Sequence, residues 1–104
     1  DLKSHNILVS ATFGAKVADF GLAARMPSAG QPAMQTACGT PLWIAPEVVL
    51  GEDYDQSADV FSFGIVLSEL LTRKVPYWES ASRHTNIKIM MMVASDAIWI
   101  LCTI

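Results

Sequence analysis

Asp1-Leu-Lys-Ser-His-Asn6-Ile-Leu-Val9, followed after a short turn by Lys16-Val-Ala-Asp19-Phe-Gly21, is the stretch on which the fold turns. Ile7-Leu-Val9 is an apolar run with β-branched residues and predicts a strand. Val17-Ala18 predicts the start of another, and the glycine-bearing Ala11-Thr-Phe-Gly-Ala15 between them predicts the turn of a hairpin. Such a hairpin brings Asn6 and Asp19 to the same end, with Asp1 nearby on the incoming loop. Three oxygen-bearing side chains then converge on one small space. Hard divalent cations that bridge phosphates are held by such carboxylate and amide oxygens, few in number and rigidly placed.

Further along, Gly39-Thr-Pro-Leu-Trp-Ile44 leads into Ala45-Pro46-Glu47, and Ser57-Ala-Asp59-Val-Phe-Ser-Phe-Gly64 follows. Either Asp1-x-x-x-x-Asn6 or Asp19-Phe20-Gly21 alone arises by chance. With the two downstream stretches, in this order, the chain resembles the eukaryotic protein kinases. Gly39-Thr-Pro-Leu-Trp-Ile-Ala-Pro-Glu47 together with Asp1-Leu-Lys-Ser-x-Asn6 is most similar to the tyrosine-kinase-like group of serine/threonine kinases. The resemblance implies a mainly α chain with a short β-hairpin, part of the C-terminal lobe of the α+β kinase fold. It covers residues 1–95 as a partial kinase domain and leaves 96–104 as a divergent apolar tail.

The same resemblance implies the chemistry: ATP- and Mg²⁺-dependent transfer of the γ-phosphate to a protein Ser/Thr hydroxyl. Asp1 is expected to orient the acceptor hydroxyl and take its proton. Asn6 and Asp19 are expected to hold Mg²⁺ on the ATP phosphates, and Lys3 to neutralise the migrating group. Thr40 is expected to hydrogen-bond Asp1 and Lys3. Gly21, Glu47 and Asp59 take structural roles, with Asp59 receiving hydrogen bonds from the backbone of the loop at residues 1–6. A capping acid at a helix start explains Asp59 almost as well. Thr36, four residues before Thr40, matches the place of a phosphorylated threonine that arginines order, Arg25 being a local candidate. A solvated loop hydroxyl is the other reading of Thr36.

Composition sets bounds on these expectations. A chain of 104 residues suffices for one small domain, and a two-lobed catalytic domain is much longer. The chain is therefore expected to be a piece lacking the N-terminal lobe, inactive by itself. The contrasting reading is a non-catalytic kinase-like lobe serving as an interaction module. Apolar residues make up 52% and charged residues 16%, against roughly 45–50% and about 25% in soluble domains. Surfaces written for absent neighbours account for that excess. A net charge of −3 without a basic cluster gives no footprint for nucleic acid. Cys38 and Cys102, the two thiols, form neither a disulfide framework nor a zinc set, which suits a reducing, cytoplasmic setting.

Residues 22–38 lack either period and carry Pro27, Gly30 and Pro32, predicting a long irregular loop, the activation segment of the kinase reading. Pro46–Leu50 predicts a short helix with proline at its first position and Gly51 as its stop. Glu47 is the sole charge in this apolar neighbourhood and needs a partner if buried. Ser57–Leu71 predicts a helix capped by Ser57 and apolar on nearly every face, hence buried. Asn86–Ser95 predicts a further helix. In Ile87–Ile104, Asp96 interrupts an apolar run too short and too costly to span a membrane.

Overall fold

The computed structural model describes residues 1–25, 27–28, 33–34, 37–77 and 83–95. A 3-10 turn at Ser4–Asn6 leads into strand β1 (Ile7–Val9), which is followed by β2 (Ala15–Val17). Three helices come next: α1 (Pro46–Leu50), α2 (Ser57–Thr72) and α3 (Asn86–Ala94). This is the mainly α architecture with a short hairpin that the sequence predicts.

The strands pair antiparallel with Ile7 opposite Val17, Leu8 opposite Lys16 and Val9 opposite Ala15. β2 starts two residues before the expected Val17, and the turn closes on Ser10. The Ser10 N–H donates to the Gly14 carbonyl at 2.9 Å and the Ser10 carbonyl accepts from Phe13 at 3.0 Å. The Ser10 hydroxyl also accepts from the Gly14 N–H at 2.9 Å. Available ladder partners, rather than apolar pattern, set this boundary, because all three residues of β2 are exposed. One further bond, Ala18 N–H to the Asn6 carbonyl at 2.8 Å, holds the ends together. Asn6 and Asp19 therefore emerge at the same edge.

Helix α1 begins with Pro46 and stops at Gly51, whose φ of 70° is left-handed and whose N–H reaches the Glu47 and Val48 carbonyls. Helix α2 departs from expectation at its start. The cap position is Gln56, with no side-chain bond, and the Ser57 N–H is met at 2.7 Å by Asp55 Oδ1 instead. Ser57 is already helical, one position too late to cap. Nor is α2 buried all round. Ile65 and Val66 lie in the core, whereas Val60, Leu70 and Leu71 are 69%, 66% and 76% exposed. One stripe of α2 meets the rest of the chain, and its other apolar residues are left largely exposed.

The core joins Leu42 and Trp43, Ile65 and Val66 of α2, and Ile89 and Val93 of α3, with Ile7 of β1 packed against it. α1 lies against α3, whose start is capped by Thr85 accepting from the Lys88 N–H at 3.4 Å. The described part of residues 22–38 is irregular, as its composition predicts, and is pinned by a β-bridge between Met34 and Tyr54. The tail expected at 96–104 lies outside the described residues. Among the described residues no helix is long and apolar enough to cross a membrane.

Candidate active site

Asp1 and Lys3 sit in the short segment that enters the 3-10 turn. Thr40 arrives from a chain distance of 39 residues. Two internal bonds bring it there: Trp43 and Ile44 N–H groups both donate to the Thr40 carbonyl, at 3.0 and 3.2 Å. The Thr40 hydroxyl then donates to Asp1 Oδ1 at 2.6 Å. It accepts from Lys3 Nζ at 2.6 Å, and Lys3 Nζ also donates to Asp1 Oδ2 at 2.8 Å. The result is a closed triangle of carboxylate, ammonium and hydroxyl. The Lys3 and Asp1 side chains are only 20% and 12% exposed, so water competes poorly for these bonds.

Asn6, 8% exposed, donates its amide to the Asp1 carbonyl at 3.0 Å and so fixes the backbone that carries the carboxylate. Its amide oxygen meets no donor among the described residues. Asp19 stands at the neighbouring edge, exposed, with a left-handed φ of 60°. Asp19 Oδ1 accepts from the Gly21 N–H at 3.2 Å, while Oδ2 has no partner among the described residues. A Cβ on Gly21 would stand 3.1 Å from that same Oδ1, which gives the glycine its place. Asp1, Asp19, Phe20, Thr40, Tyr54 and Asp59 contribute to the lining of a cleft of about 560 Å³. Burial, then the neighbouring Cys38 thiol, raise the Tyr54 phenol above its ordinary 10.0.

One expectation, for Asp59, is not met among the described residues. Asp59 is exposed and receives no hydrogen bond from residues 1–6 among the described residues, because it faces the open cleft instead. Glu47 is half-buried in α1 with no side-chain partner among the described residues, and it bonds only through its carbonyl, to Gly51 and Glu52. Thr36 lies outside the described residues.

The chain also contains a site residue that sequence reasoning passed over. Glu69 of α2 accepts from the Ser4 hydroxyl at 2.9 Å through Oε1 and from the Trp43 indole N–H at 2.8 Å through Oε2. The His5 ring meets Trp43 edge-on, with centroids 5.7 Å apart. The signal was present: Glu69 is the one charge in the apolar run Phe61–Leu71, and a charge there requires partners.

Asn6 and Asp19 offer a hard-oxygen donor set, an amide oxygen and a carboxylate oxygen, each unclaimed by described residues. That chemistry fits Mg²⁺, which takes one or two protein oxygens and completes its shell with phosphate and water. No group of three or more His, Cys, Asp or Glu side chains able to hold a metal by themselves occurs among the described residues.

Residues 1–101 match the family model described as protein kinase domain. The chain is 53% identical over 78 residues to "Probable serine/threonine-protein kinase drkA" of Dictyostelium discoideum, covering 75% of this chain and 12% of that protein. It is 47% identical over 89 residues to "Dual specificity protein kinase shkD" of the same organism, covering 86% of this chain and 11% of that protein. The chain thus spans about a tenth of the length of these relatives.

Proposed function

Because the chain belongs to the protein kinase domain family, we propose that it carries the phosphate-transfer half of a serine/threonine kinase whose acceptor is a protein hydroxyl and whose donor is ATP. The observation that carries this reading is the Asp1–Lys3–Thr40 triangle. A carboxylate has about four lone-pair sites on its two oxygens. Thr40 and Lys3 engage one on each oxygen, so Asp1 keeps acceptor capacity for an incoming hydroxyl. It would orient that hydroxyl and take its proton as the new P–O bond forms and the bond to the leaving ADP oxygen breaks.

Lys3 lies beside the same carboxylate and would stabilise charge on the migrating phosphoryl group. Its donors are fixed on Asp1 and Thr40 before substrate arrives, so little reorganisation is needed. Asn6 and Asp19 would hold Mg²⁺, which when bound neutralises phosphate charge and orients the donor. The exposure of Asp19 is what a group reaching towards a nucleotide in the cleft requires. The 104 residues expressed alone are proposed to be inactive, since Phe20 and the hairpin residues Leu8, Val9 and Val17 are all left exposed on the hairpin side.

The test is phosphate incorporation into a Ser- or Thr-bearing protein by the full-length protein, wild type beside Asp1→Asn and Asp19→Ala. Each variant should lose about 100-fold or more. Equal incorporation by wild type and Asp19→Ala would end the metal role, and equal incorporation by Asp1→Asn would end the role of Asp1.

A further inference from the structure

We propose that Glu69 is a positioning residue for phosphate transfer, clamping the loop that carries Asp1 to the segment that carries Thr40. The inference rests on the kinase reading above. Asp1 and Thr40 meet through side chains, and that contact needs the two backbones behind them to keep a fixed separation. Each segment carries a side-chain donor close to the site: Ser4 lies three residues after Asp1, and Trp43 three residues after Thr40. Both donors end on one carboxylate, Ser4 on Oε1 at 2.9 Å and Trp43 on Oε2 at 2.8 Å.

The clamp is mounted rigidly. Glu69 lies inside α2, one turn after Ile65 and Val66, which are buried. The Glu69 carbonyl also accepts from the Arg73 N–H at 2.8 Å. Trp43 is fixed on its other side as well, because Ser62 of α2 donates its hydroxyl to the Trp43 carbonyl at 2.7 Å. The segment is thus tied to α2 at two points and the loop at one. The tie to the loop is the single bond from Ser4, reinforced by the edge-on contact of His5 with Trp43.

Glu69 touches neither Asp1 nor Lys3, and it is absent from the lining of the cleft. Its action is therefore on geometry, and reaction rates fall steeply with small misplacements of reacting groups. Kinetics of the full-length protein test this. Glu69→Ala should lower kcat by about 100-fold, and Ser4→Ala by about 10-fold, each with the KM for ATP little changed. The double variant should be no worse than Glu69→Ala, because both remove the same tie. Glu69→Gln should recover to within about 3-fold of wild type, since its amide oxygen can accept from the indole and its amide N–H can donate to the Ser4 oxygen.

Independent, multiplicative losses in the double variant would overturn the clamp. So would a rise confined to the KM for the acceptor protein that Glu69→Gln fails to rescue, which would mark Glu69 as a contact for a cationic substrate side chain. Should Glu69→Ala fail to fold, Ser4→Ala, which leaves the Trp43 bond in place, decides the matter by its kcat. A wild-type protein that transferred no phosphate would sink the kinase reading and this role with it. An active wild type whose kcat is indifferent to both Ser4→Ala and Glu69→Ala would overturn this role alone.

Discussion

Thr40 is the residue whose loss should be felt most widely for its size. Its hydroxyl is donor to Asp1 and acceptor from Lys3 at once, so Thr40→Ala leaves the lysine and the carboxylate with only each other. Activity should fall by about 10- to 100-fold, as for loss of a hydrogen bond to a charged group. Thr40→Ser keeps the oxygen and should stay within a few-fold, and steady-state kinetics of the two variants side by side checks the pair. Asp1, Lys3 and Thr40, joined by their side chains, could be read from sequence as a group, because each belongs to a short run that resembles the kinase pattern. Glu69 could not. Its partners lie 65 and 26 residues away, and no local pattern says which donors a lone charge on a helix will meet.

At the scale of elements, the ends of the helices carry the clearest energetic consequences. Gly51 closes α1 with a φ of 70° and has open space where a Cβ would stand. Gly51→Ala should therefore destabilise by about 1 kcal/mol through backbone conformation alone, read as a lower midpoint in urea unfolding. Asp55 accepts from the Ser57 backbone N–H and then from its hydroxyl, and this holds the carboxyl below its ordinary 3.8. A depressed folded value means the bond supports the folded form above pH 3.8 and is lost as the pH falls through that lower value. The protection factor of the Ser57 amide, its exchange rate corrected for the intrinsic pH dependence, should fall on acidification in that window, and this fall should vanish in Asp55→Ala.

The helices and hairpin were legible in the sequence because proline, glycine and the apolar runs mark their limits locally. The capping of α2 was misread because Asp55 and Ser57 are both good caps, and only the backbone of Gln56 decides between them. The exposure of α2 was misread for a different reason. Apolar pattern states which faces are meant for burial, while burial itself needs a partner on each face. Within this chain, α3 and the Leu42–Trp43 segment cover one.

For the whole molecule, stability rests on a small cluster centred on Ile89, which is 0% exposed. Ile89→Ala should destabilise by about 2–5 kcal/mol, the range for a cavity left in a packed core. By contrast, Leu71→Ser on the exposed side of α2 should change stability by less than about 0.5 kcal/mol. Thermal unfolding of the two variants separates a packed face from an uncovered one. Exposed Leu67, Leu70 and Leu71 with Val60 and Phe63 also make α2 a site of association for the isolated chain. Light scattering should rise with its concentration and fall in Leu70→Lys.

The doubly engaged oxygen of Thr40 has one more implication. Its proton is committed to one neighbour and its lone pair to another, so esterifying it would remove the bond to Asp1 and leave an anion pressed against that carboxylate. A catalyst that modifies threonine hydroxyls would thereby keep the one beside its own base out of its repertoire. Self-modification would have to fall on hydroxyls that are not already part of the machinery.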